Sequence, residues 1–184
     1  MRSFVPDQER DLVLGLVIGR IGEDEFLASF PRSPRTGAAE WLERATRERD
    51  PLGVDLALSL GHRFGFVERS LPHLLALTTA EWHQRHEDVV DALAILRAPQ
   101  AVAPVFEVAR MSFPYRDYDE FSTLGVKCVW ALRRIGTLEA VARLGDLSRC
   151  DDPILAEAAL GALHGLTAES DSQEVRDAAR NEAP

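Results

Sequence analysis

The chain overlays on itself. A shift of 39 residues sets Ala92-Leu93 on Ala131-Leu132, Gln100 to Ala103 on Glu139 to Ala142, Val105 on Leu144 and Val108 on Leu147. A shift of 31 sets Ala131-Leu132 on Ala162-Leu163, and a fainter one of 35 sets Ala57-Leu58 on Ala92-Leu93. Apolar residues inside each unit recur with helical spacing, and no stretch sustains the alternation of a strand. Each unit reads as two short helices joined by a turn. Neither helix can bury its apolar stripe alone, so neighbouring units must stack, with Val90, Leu93, Val129, Leu132, Leu160 and Leu163 expected between the layers.

Pro, Gly and Asp mark the joints. Pro6 with Asp7 and Glu9 opens a first helix, and Gly22 with three acids opens a second that ends before Pro31 and Pro34. A third is expected from Thr36 to Arg49, and a fourth from Asp50-Pro51 to Leu60, stopped by Gly61. Further helices are expected near 67–78, 86–96, 99–110, 122–135, 138–149, 153–166 and 172–181. Gly15, Gly19 and Gly22 fall in a helical pattern with no preceding strand, so they read as close-packing positions and not as a dinucleotide loop. Many short helices in register make a helical-repeat architecture and not a four-helix bundle.

The segment Leu124 to Leu144, with Trp130-Ala131-Leu132, Ile135-Gly136 and Glu139-Ala140-Val141, resembles the HEAT-like repeat of the phycobilisome-lyase type. That repeat ends its first helix in Ala-Leu-Gly-x-Ile-Gly and opens the next with Asp-Pro-Glu-Ala-Val. This chain departs at Arg133, for the first glycine, and at Thr137-Leu138, for the Asp-Pro pair. The resemblance covers residues 86–166 and fades before residue 50. It implies an all-α fold, a right-handed α-solenoid of stacked antiparallel helix pairs. Residues 1–184 then form one domain, with helices 1–50 as a divergent cap. The fold type serves adaptors, lyases, repair enzymes and toxin antagonists, so it does not choose among them.

Charge narrows the field. There are 30 acidic against 21 basic residues, a net charge of −9. Such a field repels phosphate backbones, so no nucleic-acid partner is expected. Lys127 is the sole lysine, a usage associated with high-GC bacterial genomes. Cys128 and Cys150 are too few and too far apart for a disulfide framework or a CxxC motif, and Cys128 reads as a core residue. The apolar run Leu12 to Ile18 is too short to span a membrane. It is preceded by Asp7, Glu9 and Asp11, where a signal peptide carries positive charge. No membrane partner and a cytoplasmic address follow as expectations.

Two constellations stand out. The change of shift from 39 to 31 locates an insertion of about eight residues between Ala109 and Leu124. It carries Phe113, Tyr115, Asp117, Tyr118, Asp119, Glu120 and Phe121. Inserted loops form binding surfaces and tyrosine anchors interfaces, so Tyr115, Asp117, Tyr118, Asp119 and Glu120 are the candidate partner contacts. Their carboxylates suit a basic surface. Phe113 and Phe121 read as plugs between repeats. The second constellation, Trp82-His83-Gln84-Arg85-His86-Glu87-Asp88, offers His83 and His86 as zinc ligands, but two imidazoles without an H-E-x-x-H pattern make a weak signal. A turn before a helix accounts for it as well. No nucleophile elbow, phosphate loop or Cys–His pairing is present, and no cofactor is implied.

These readings converge on a non-catalytic protein-binding module. Small, acidic and HEAT-like, the chain is similar to the immunity proteins that neutralise bacterial toxins by stoichiometric binding; an adaptor is the broader form of this expectation. The alternative is an enzyme on the same scaffold, a bilin lyase or a DNA-glycosylase-like protein. The latter requires a basic face with Trp and Asp at the lesion, and Trp41, Trp82 and Trp130 are scattered, with Trp130 expected in the core.

Overall fold

The computed structural model describes residues 3–116 and 122–166. Among them are ten α-helices packed against each other and no strand. They are α1 (Asp7–Val17), α2 (Glu23–Ser29), α3 (Pro34–Glu48), α4 (Pro51–Phe64), α5 (Leu71–Leu77), α6 (His86–Leu96), α7 (Val102–Val108), α8 (Thr123–Ile135), α9 (Leu138–Leu147) and α10 (153–166). None is long and apolar enough to cross a membrane. The helix expected at 172–181 lies outside the described residues.

Local chemistry sets the boundaries. Asp50 caps α4, its carboxylate accepting the Leu52 N–H at 3.1 Å, and Pro51 occupies the first helical position, where no amide donor is needed. The same buried carboxylate takes the Ser3 hydroxyl at 2.5 Å and the Phe4 N–H at 3.2 Å, binding the N-terminal segment to α4. Thr137 caps α9 by accepting the Ala140 N–H at 3.1 Å. Asp152 caps α10, accepting the N–H groups of Ile154 and Leu155 at 2.9 and 3.1 Å.

Most positions equated by the self-overlay are buried alike; Val141 and Leu163 are half-buried where Val102 and Leu132 are buried. Ala57, Ala92, Ala131 and Ala162 are all in the core, as are Leu58, Leu93 and Leu132; so are the pairs Val105 with Leu144 and Val108 with Leu147. Helix α4 packs on α6 and α6 on α8; α3 packs on α5 and α7 on α9. The core runs between these rows, through Val89, Val90 and Leu93 of α6 and Cys128, Val129 and Leu132 of α8.

Four expectations are corrected. Gly61 does not stop α4; it lies buried within the helix, where the Phe66 ring packs so closely that a Cβ would collide with it. Helix α4 ends instead at Gly65, whose φ of 95° favours glycine. Gly19 is not helical but sits in the turn after α1, at φ 72°. Leu160, expected in the core beside Leu163, is exposed and Leu163 half-buried, because the inward stripe of α10 runs through Leu155, Ala159 and Ala162. Trp130, also expected in the core, is 48% exposed. The buried stripe of α8 passes through Gly125, Cys128, Val129 and Leu132, and one residue beyond Val129 is about 100° away around the helix.

Candidate functional site

The inserted loop comes back onto the start of α6. His83 lies in the segment before that helix and His86 is its first residue; both are buried. Their rings stack with centroids 4.3 Å apart, Phe113 covers His86 at 3.8 Å, and Trp82 meets His83 edge-on at 5.3 Å. The Nδ1 of His83 accepts the Arg85 N–H at 3.0 Å, so its Nε2 carries the proton and donates to the Leu77 carbonyl at 2.8 Å. Nδ1 of His86 lies 2.8 Å from the Tyr115 hydroxyl. Burial lowers the pKa of both imidazoles. For His83 the Leu77 carbonyl opposes this, and for His86 the neighbouring His83 adds to it and takes the value to about 4. The pair is therefore neutral at pH 7.

Phe113 is a plug, as expected. Tyr115 is half-buried and packs on the same cluster, and burial raises its phenol pKa. Arg116 pairs with Glu87 of α6, and Lys127 of α8 reaches Glu87 at 3.3 Å and Asp91 at 2.7 Å. Burial acts to raise the Glu87 pKa, but the hydrogen bonds from Arg116 and Lys127 outweigh it and the net shift is downward. Loop, α6 and α8 are thus joined by one stacked cluster and one ion-pair network. Asp117, Tyr118, Asp119, Glu120 and Phe121 lie outside the described residues. No group of three or more His, Cys, Asp or Glu side chains suited to a metal ion occurs among the described residues. Cys128 is fully buried and its thiol pKa is pushed far up by that burial, so it holds no thiolate at neutral pH.

Among the described residues, two surface clefts stand out. The larger, about 840 Å³, lies between α7, α8, α9 and the start of α10, where the guanidiniums of Arg110 and Arg143 stand 5.3 and 4.8 Å from the Phe106 ring. Its charge is mixed: Asp146 pairs with Arg143 at 3.5 Å and with Arg149 at 3.2 Å, and Asp151 and Asp152 also line it. The second, about 570 Å³, lies where α6 and α8 end and is lined by Arg97, Trp130, Arg133, Arg134, Ile135 and Gly136. No carboxylate lines this cleft among the described residues. Arg133 stacks its guanidinium 5.5 Å from the Trp130 ring. Exposed apolar residues flank it in sequence: Ile95, two residues before Arg97, and Leu138, two after Gly136 and 92% exposed.

Sequence reasoning missed this second site, although a signal was present. Trp130, Arg133 and Arg134 are spaced i, i+3 and i+4, so they share one face of α8, away from the buried stripe. Comparison with family models, with curated proteins and with solved structures gives no match.

Proposed function

We propose that the chain is a non-catalytic protein-binding module, a stack of HEAT-like helix pairs that acts by stoichiometric capture of a partner, as an adaptor or a toxin-neutralising immunity protein does. The observation that carries this reading is Trp130, half-exposed in an arginine-lined cleft with no carboxylate among its described lining residues, with Ile95 and Leu138 exposed nearby in sequence. Trp and Arg are the residue types that dominate binding energy at interfaces, and a large apolar ring left in water gains most when a partner covers it. The neutral, packed histidines and the buried Cys128 favour binding over catalysis.

A photo-crosslinking residue at position 138, installed in the full chain inside its native cells, tests this. One discrete adduct of one-to-one stoichiometry is expected, lost on Trp130→Ala, while the same crosslinker at position 160 gives none. Equal adducts from both positions, or one that survives Trp130→Ala, sinks the reading.

A nucleic-acid enzyme is the second reading, favoured by the same arginines around an indole. The net charge of −9 and the absence of an acid from the described lining weigh against it.

A further inference from the structure

We infer that the cleft at the ends of α6 and α8 receives an acidic segment of the partner, a carboxylate lying between Arg97 and Arg134 and an apolar side chain against Trp130. This rests on the protein-binding reading and adds the chemistry of what is bound.

The two arginines are set apart from most others in the chain. Arg10, Arg32, Arg44, Arg63, Arg69, Arg85, Arg116, Arg143 and Arg149 all stand within ion-pair distance of a carboxylate. Among the described residues no such pair engages Arg97 or Arg134, and both line the cleft that no described carboxylate enters. Arg134 has a structural role as well, since a cation in the last turn of α8 complements the helix dipole. Arg97 is harder to explain that way. It follows the last residue of α6 at φ 48°, a left-handed conformation that glycine adopts at less cost. Arg49 ends α3 in the same conformation outside either cleft, so it is the placing of Arg97 beside a second cation and an exposed indole that suits an anion there.

Carboxylate of a protein segment fits better than a phosphate chain. Farther along α6 stand Asp91, Asp88 and Glu87, and the whole molecule is strongly acidic, so a long polyanion would meet repulsion beyond the cleft. A short acidic segment, anchored by an apolar residue on Trp130, gains the local attraction without that penalty. Arginine forks suit carboxylates in two-point contact.

The test is a titration of the full chain with three probes: a synthetic peptide of alternating Glu and Leu, its Lys-Leu counterpart, and oligo-dT. The readout is tryptophan emission, taken as the difference between the wild type and Trp130→Phe. The Glu-Leu peptide is expected to saturate the signal, more weakly as salt rises, with the Lys-Leu peptide and oligo-dT at least about tenfold weaker. Arg97→Gly and Arg134→Gln should each weaken binding about fivefold or more. Arg97→Gly should do so with an unchanged or raised Tm, because glycine suits that backbone, so lost binding is separable from lost folding. Equal binding by the Arg97→Gly, Arg134→Gln double variant overturns the inference. So does preference for the Lys-Leu peptide, in which case the cleft remains a protein-contact surface with the opposite charge rule. Preference for oligo-dT overturns it in favour of the nucleic-acid reading. If no probe perturbs Trp130, the inference falls, while the crosslinking result at position 138 decides the protein-binding reading independently.

Discussion

The phenol of Tyr115 lies 2.8 Å from Nδ1 of His86, a contact that ties the loop after α7 to the first residue of α6 across 29 positions of chain. Tyr115 also stacks beside His86 and packs on the core. Tyr115→Phe should cost about 1 kcal/mol through the lost hydrogen bond, and Tyr115→Ala about 2 kcal/mol or more through lost packing. Urea unfolding measures both. A variant Tyr115→Ala that unfolds like the wild type but fails to bind its partner would assign the ring to recognition instead.

His86 makes folding pH-dependent. Its folded pKa of about 4 lies below the ordinary histidine value of 6.5, so the native state refuses a proton that the unfolded chain accepts. Stability is therefore intact above pH 6.5, declines as pH falls below it, and stops declining on this account near pH 4. A shift of this size corresponds to about 3 kcal/mol in all. His86→Phe, which keeps a ring in the stack, should flatten the decline between pH 6.5 and 4.5. Parallel stability–pH curves for variant and wild type would show that His86 is not its source.

Two glycines in helices should respond oppositely to the same substitution. A Cβ at Gly61 would collide with the Phe66 ring, so Gly61→Ala should cost about 1–3 kcal/mol as overpacking. Nothing stands within 4 Å of a Cβ at Gly161 in α10, so Gly161→Ala should stabilise by about 0.5–1 kcal/mol. Thermal unfolding distinguishes them, and equal shifts would contradict the packing around Phe66.

Two helical leucines, one in α8 and one in α10, should also differ. Leu132 is fully buried, and its truncation to Ala should cost about 2–5 kcal/mol. Leu160 is 45% exposed, and Leu160→Ala should cost less than about 1 kcal/mol. Similar losses at both would restore the register in which Leu160 faces the core.

The sequence by itself determined the helical class and most helix boundaries. Helix formation rests on local terms: Asp50-Pro51 and Thr137 cap their helices whatever surrounds them, and Val105 and Leu144 share a phase that any helix must express. Which side of a helix meets another helix is not local, and there the reading failed. Trp130 and Leu160 are apolar and helical, but their burial depends on where the neighbouring rows lie. The histidines follow the same rule. Spacing alone leaves His83 and His86 open to metal, whereas Phe113, arriving from 27 residues beyond His86, fills the space against the His86 ring. The cleft of Arg97, Trp130 and Arg134 was decided only by tertiary structure, because it exists where two helix ends, Leu96 and Ile135, 39 residues apart in the chain, are brought side by side by the core they share.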